Sequence, residues 1–283
     1  MYDLVSDAKL WSWSPGEGKI TTSAADSVNN LCYVGTSNDS DGKFFALDCD
    51  NGSLVWEEEM GGEQWGTLGP GISPDGSMVC VGVGGDANLF KDVGSKLVCM
   101  NSLSGELLWQ KDIGKQIQSR PSFGRDGRIY VGDYNGCVYS FDRENGSKVW
   151  ERCFEGIAGV DWLTNVEGST AYMAVEEKDE LVFVTSFTGY LYALDGETGE
   201  IEWKVKLGKP YIFGGGAAST PLVDVDMQRV YVGGPEGIWA VDAITGDVAW
   251  HHETKTQCGS SPTSVKDAVA IACEDGYLYL LAK

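Results

Sequence analysis

The chain alternates short apolar runs with turn residues from one end to the other. Ile129–Gly132, Leu181–Val184 and Val230–Gly233 are runs of β-branched and aromatic residues. After a short turn, each is followed by a second such run: Cys137–Phe141, Tyr190–Leu194 and Ile238–Val241. A small-residue run comes before them, as in Ser119–Phe123 or Ser260–Ser264, with turns such as Arg125–Arg128 or Pro74–Ser77. Behind them an acidic or amide residue, three variable residues and a glycine lead into a run that ends in tryptophan. Short β-rich runs separated by Gly, Asn and Asp are strand and hairpin signals. No stretch of useful length shows helical periodicity.

This order of four strands recurs. Its closing phrase is complete at Ala46–Trp56, Cys99–Trp109, Ser140–Trp150, Ala193–Trp203 and Ala240–Trp250, and a partial copy ends at Trp11. A four-strand unit of roughly 40–50 residues is the pattern of a propeller blade. The spacing predicts an all-β fold, a six-bladed β-propeller of four-stranded blades, in one domain over residues 1–283. Gly276–Leu281 matches the third-strand phrase Gly189–Leu194, and the fourth strand missing there is found at the start, in Ala8–Trp13. Blade 6 is therefore expected to be split between 259–283 and 8–14. Pairing the N-terminal strand with the C-terminal blade closes the ring and removes an open edge.

The acidic turn residue can bond nearby backbone N–H groups, and the glycine accepts a positive φ. The ring that follows, at Trp11, Trp56, Trp109, Trp150, Trp203 or Trp250, can bury roughly 150–250 Å². These six are expected to be structural, wedged between adjacent blades.

The phrase resembles the tryptophan-docking motif of the pyrroloquinoline quinone (PQQ)-like repeat family, most closely at Ala193–Trp203 and Ala240–Trp250. The resemblance covers essentially the whole chain and implies the propeller fold. The family holds quinoprotein alcohol dehydrogenases of eight blades and also a non-catalytic binding lipoprotein of bacterial outer-membrane assembly. Against the dehydrogenases, this sequence shows six units, no adjacent Cys-Cys pair and no identifiable calcium ligand set. PQQ is therefore not expected as a cofactor, and no other cofactor is indicated.

Composition narrows the function classes. The 38 glycines suit many tight turns, and no run of about 18 apolar residues exists to span a membrane. The opening residues lack the basic and apolar regions of a signal peptide, which fits either an intracellular protein or a mature product. A net charge of −21 disfavours nucleic acid and anionic membrane surfaces and suits a basic protein partner, or solubility alone. The eight cysteines form no CxxC or zinc spacing. They are expected to be reduced and buried, which leans toward a reducing compartment, with structural disulfides as the competing case.

Catalytic candidates are thin. The only histidines, His251 and His252, are adjacent on an outer strand and point to opposite faces. No catalytic residues and no metal ligands are assigned. Asn38–Gly42 and Asp224–Asp226 read as ordinary turns rather than calcium loops, and Glu176–Glu180 as a solvated turn. The longer links into the next blade carry Gln64, Trp65, Asp161, Trp162, Tyr211 and Phe213. Loops on a rigid scaffold are where binding is usually placed, and aromatics are enriched among interface hot spots. These residues either form a binding face or fold back to plug the channel. Arg120, on an innermost strand, either adds a cation there or pairs with a carboxylate. The sequence favours a non-catalytic protein-binding or assembly scaffold. The alternatives are a metal-dependent, hydrolase-like channel site and a small-molecule sensor.

Overall fold

The computed structural model describes residues 2–3, 8–16, 18–37, 42–60, 69–84, 95–113, 117, 119–124, 127–133, 136–154, 171–174, 180–186, 188–209 and 219–283. Every regular element among them is a strand. The chain divides into two compact units, Met1–Pro121 and Ser122–Lys283.

The first unit opens with a short ribbon of β1 (Tyr2–Asp3) and β2 (Ala8–Lys9). Two antiparallel four-stranded sheets follow. One holds β3 (Lys19–Asp26), β4 (Leu31–Ser37), β5 (Lys43–Asp48) and β6 (Leu54–Glu59). The other holds β7 (Gly71–Ile72), β8 (Met78–Gly84), β9 (Ser95–Asn101) and β10 (Leu107–Ile113). The two sheets bury one core between them, with Tyr33, Phe44, Ala46 and Trp56 against Val79, Val81, Val98 and Met100.

The second unit repeats the same meander. Its sheets are β11 (Ser122–Phe123), β12 (Arg128–Gly132), β13 (Cys137–Asp142), β14 (Lys148–Cys153); then β15 (Ala171–Ala174), β16 (Glu180–Ser186), β17 (Tyr190–Asp195), β18 (Ile201–Lys206). Next come β19 (Leu222–Asp224), β20 (Arg229–Gly234), β21 (Gly237–Asp242) and β22 (Val248–Glu253). The last sheet has three strands, β23 (Thr263–Val265), β24 (Ala268–Ala272) and β25 (Leu278–Ala282). Consecutive sheets pack face to face: Tyr130, Val138 and Trp150 meet Val182, Val184 and Leu194, and Phe183, Leu191 and Ala193 meet Val230, Val232 and Val241.

The closing phrase folds the same way in each complete copy. In the first sheet Asp48 Oδ1 accepts the Asp50 and Asn51 amides at 2.8 and 3.1 Å, while the Gly52 amide donates to Asp48 O at 2.8 Å. The same glycine-to-acid bond recurs from Gly105 to Asn101, Gly146 to Asp142, Gly199 to Asp195 and Gly246 to Asp242. These five glycines have φ between 67° and 76°, a left-handed conformation that other residues adopt only at a cost. A one-residue bulge then sets each tryptophan opposite a small residue: Trp56 on Ala46, Trp109 on Cys99, Trp150 on Ser140, Trp203 on Ala193 and Trp250 on Ala240.

The indole reaches the turn of the following sheet. Trp11 Nε1 donates to Cys49 O at 2.8 Å, Trp56 to Ser102 O at 2.9 Å, Trp150 to Gly196 O at 2.8 Å and Trp203 to Ala243 O at 3.1 Å. In each case the acceptor follows the acidic or amide residue of that turn. The glycine of the same turn faces the ring, so a Cβ on Gly52, Gly105, Gly199 or Gly246 would come within 2.6 to 2.9 Å of an indole carbon. The turn glycine is thus required twice, by its backbone angle and by the ring seated on it.

One expectation needs correcting: all eight cysteines are paired, as Cys32–Cys49, Cys80–Cys99, Cys137–Cys153 and Cys258–Cys273. Each bridge lies within one sheet. The strand register brings Cys80 opposite Cys99 and Cys137 opposite Cys153. Two bridges span the second and third strands, one the third and fourth, and one the ends of the first two, so no single repeat position reveals them. The lean toward a reducing compartment rested on free thiols and is lost with them. The described pairings do not include the expected pairing of residues 8–14 with the last sheet. Residues 8–9 pair with 2–3, and residues 10–15 form no strand. Among the described residues β25 has no partner on its outer side.

Candidate functional site

Of the residues expected to bind, Gln64, Trp65, Asp161, Trp162, Tyr211 and Phe213 lie outside the described residues, as do 38–41 and 175–179. Arg120 is described. It stands just before β11, and its Nε donates to Pro70 O at 2.9 Å. The residue is exposed, and partial desolvation lowers its pKa from the usual arginine value.

The register sets Ala24 opposite Tyr33, Gly71 opposite Cys80 and Ser122 opposite Tyr130. Two residues upstream of these matched positions stand Thr22, Gly69 and Arg120. Gly71 lies against Pro121, and a Cβ on it would fall 2.1 Å from Pro121 O. Gly69, at φ 134°, packs beside both: a Cβ on it would lie in ordinary contact with Thr22 Oγ1 at 3.5 Å and Arg120 Cδ at 3.9 Å. Thr22 is 7% exposed and its hydroxyl has no hydrogen-bond partner. The sequence reading missed Thr22, because one threonine in a Thr-Thr-Ser run carries no mark of its depth.

The other titratable groups have structural surroundings. Tyr33, raised chiefly by burial and then by Asp26, donates to Ser102 O at 3.2 Å. Tyr139, raised by burial and then by Asp133, donates to Asp133 Oδ2 at 2.9 Å. The Lys283 ammonium, 2.6 Å from Asp224 Oδ2, lowers the Asp224 pKa and has its own raised in return. Asp242 is pushed up by burial, but amide bonds from Thr245 and Ile244 and the Arg229 guanidinium outweigh this and lower it. Asp224 and Asp242 are thus tied into turns and ion pairs. His251 is exposed and stacked on Trp239 at 3.7 Å, while His252 lies 5.2 Å from Tyr279. The two histidines share no ligand position.

Among the described residues, Cys137, Glu151 and Cys153 are the one group of three that places its ligand atoms together. Both sulfurs are bonded to each other, so the carboxylate alone is available there. No helix among the described residues is long and apolar enough to cross a membrane.

Comparison with known proteins places these features in a family. A 259-residue stretch is 25% identical to the outer membrane protein assembly factor BamB of Moranella endobia, covering 89% of this chain and 59% of that protein. The polyvinylalcohol dehydrogenase of a Sphingopyxis species is 25% identical over 280 residues, 90% of this chain and 38% of the enzyme. The chain thus spans less than two thirds of either relative. The crystal structure of BamB from Moraxella catarrhalis superposes with a TM-score of 0.70 over 98% of this chain and 77% of that one, at 21% identity. The quinohemoprotein alcohol dehydrogenase of Comamonas testosteroni superposes with a TM-score of 0.71 over 95% of this chain and 60% of the enzyme, at 13% identity. The fold is the β-propeller type of these neighbours. The family profile described as outer membrane protein assembly factor BamB matches residues 18–173 and 162–282, and the chain belongs to that family of PQQ-like repeats.

Proposed function

We propose that this protein is a non-catalytic assembly scaffold that holds a protein partner on one face of the propeller. The observation that carries this reading is the family match along nearly the whole chain, to a protein described as an assembly factor. The physical frame supports it. Indoles seated on glycine turns and four intrasheet disulfides make a stiff body. A stiff body can present loops with little loss of conformational freedom on binding. A net charge of −21 favours a partner with a basic face. Four disulfides suit an oxidising compartment.

The proposed contact residues are Gln64, Trp65, Asp161, Trp162, Tyr211 and Phe213, with Trp65 and Trp162 as anchors. The proposed architecture is a ring of six blades, closed by residues 8–14 pairing with β25. Trp11 supports this closure, because its indole is docked on the first sheet as a fourth-strand tryptophan would be. Capture from native extract with Trp65→Ala and Trp162→Ala variants tests the binding face. Partner recovery should fall about tenfold or more with an unchanged melting temperature, since a hot-spot truncation costs roughly 2 kcal/mol or more. Undiminished recovery would exclude this face.

A further inference from the structure

We infer that the free edge of β18 takes up an extended segment of a protein partner that carries acidic residues at alternate positions. This second contact goes beyond the scaffold reading and does not depend on the loops proposed there. β18 pairs with β17 and has no neighbour on its other side among the described residues. The Leu207 amide donates to Gly189 O at 2.7 Å. Opposed residues in an antiparallel pair alternate between bonded and unbonded. Leu191–Val205 and Ala193–Trp203 are therefore bonded pairs, and Lys204 and Lys206 direct their N–H and C=O groups to the open edge. Their side chains are exposed and share a face with Tyr192 and Tyr190, which stand opposite them. The two ammoniums lie 5.6 and 5.9 Å from the Tyr190 ring centroid, within cation–π range. Tyr190 is 5.9 Å from Tyr192, which packs on Phe154 at 4.2 Å. Neither ammonium has a carboxylate within ion-pairing distance among the described residues.

The fourth strands of the other sheets set this one apart. Lys204 and Lys206 stand one and three residues past the docking tryptophan. The equivalent positions are Glu57 and Glu59 on β6, Gln110 and Asp112 on β10, Glu151 and Cys153 on β14, and His251 and Glu253 on β22. None of these eight is lysine or arginine. Sheet edges are commonly guarded by charge against pairing with one another. Acids supply that guard on the other sheets. Lysines on β18 still repel a second β18, but they admit an acidic strand. Alternate residues of a strand lie roughly 6.6 Å apart on one face. Acids at alternate positions of an added strand therefore meet Lys204 and Lys206 together. Opposite charges set across strands are favourable, while main-chain bonds supply affinity in strand addition. A long polyanion such as a nucleic acid is repelled by the rest of a chain of net charge −21, so a short acidic protein segment is favoured.

Fluorescence anisotropy on the intact, oxidised chain tests this, with a labelled, end-capped peptide of alternating Thr and Glu. Saturable binding is expected, and a peptide of alternating Thr and Lys should not bind. Reversing both charges, Lys204→Glu with Lys206→Glu, should weaken binding about tenfold or more. The melting temperature should not change, because neither ammonium is ion-paired and both are on the surface. If the reversed pair melts early, Lys204→Gln with Lys206→Gln takes its place and should weaken binding about threefold or more. Amide hydrogen exchange reads the backbone. The Lys204 and Lys206 amides should slow about tenfold or more on saturation, while those of Glu57 and Glu59 stay unchanged. No saturable binding, equal binding of the Thr-Lys peptide, or binding that the substitutions leave intact overturns the proposal. Binding without slower exchange at Lys204 and Lys206 makes the contact a charged patch instead of an added strand, and overturns it as well. Loss of this edge would leave capture through Trp65 and Trp162 untouched, so the two readings fail separately.

Discussion

The sequence Gly-Tyr-Leu-Tyr occurs twice, at Gly189–Tyr192 and at Gly276–Tyr279, with different surroundings. Both copies enter a third strand, β17 and β25. In β17, Leu191 and Ala193 are fully buried. Their equivalents on β25, Leu278 and Leu280, are 74% and 63% exposed. The difference lies in the neighbours: β17 pairs with β18 on its outer side and its sheet meets the next sheet, whereas β25 has neither among the described residues. The face shared by Val265, Leu278 and Leu280 is apolar and uncovered, while Val269, Ile271 and Leu281 on the opposite side pack inward. Packing sizes differ too. Phe183 stands opposite Ala193, a large residue over a small one, and Ala270 stands opposite Leu280, the reverse. A strand phrase therefore fixes a strand, but burial comes from what is set against it.

The largest expected effect comes from truncating the matched leucines. Leu191→Ala should lower unfolding free energy by about 2–5 kcal/mol, and Leu278→Ala by no more than about 0.5 kcal/mol, as urea denaturation would read. A loss above about 2 kcal/mol for Leu278→Ala would mean that a strand covers β25 in solution, as the closed ring requires.

The next test concerns the clamp on the last sheet. Cys258–Cys273 closes a loop of 15 residues there, whereas the β15–β18 sheet holds no cysteine. Replacing both by serine should cost about 3 kcal/mol by the loop-entropy relation. It should also speed amide exchange in β24 and β25 but not in β17. Equal acceleration in both sheets would show that the clamp acts on the whole unit.

The smallest effect separates the two glycines. Gly189 and Gly276 have φ of 82° and 84°. A Cβ on Gly189 would meet Gly208 O at 2.6 Å, and one on Gly276 would meet nothing within 4 Å. Gly276→Ala should therefore cost only the backbone strain of about 1–2 kcal/mol. Gly189→Ala should cost measurably more by thermal denaturation, and equal losses would erase the contrast between the two surroundings.

Much of the fold was legible before any coordinates. The acidic turn, its glycine and the tryptophan recur at a fixed order, and local hydrogen bonds enforce that order wherever it occurs. The candidate site was less legible. Arg120 stood out as a cation on an inner strand, but its acceptor Pro70 lies 50 residues away and Thr22 is farther still. The disulfides were hidden for a different reason. Each joins two positions 15 to 19 residues apart, but the hairpin they span is not the same in every repeat.

The sequence by itself determined the strands, the turns and the docking tryptophans, because each depends on residues within one repeat or on a phrase that every repeat shares. Only the tertiary structure decided which cysteines meet, which leucines are covered and which carbonyl accepts from Arg120. Those outcomes depend on register and on neighbouring strands that are distant along the chain.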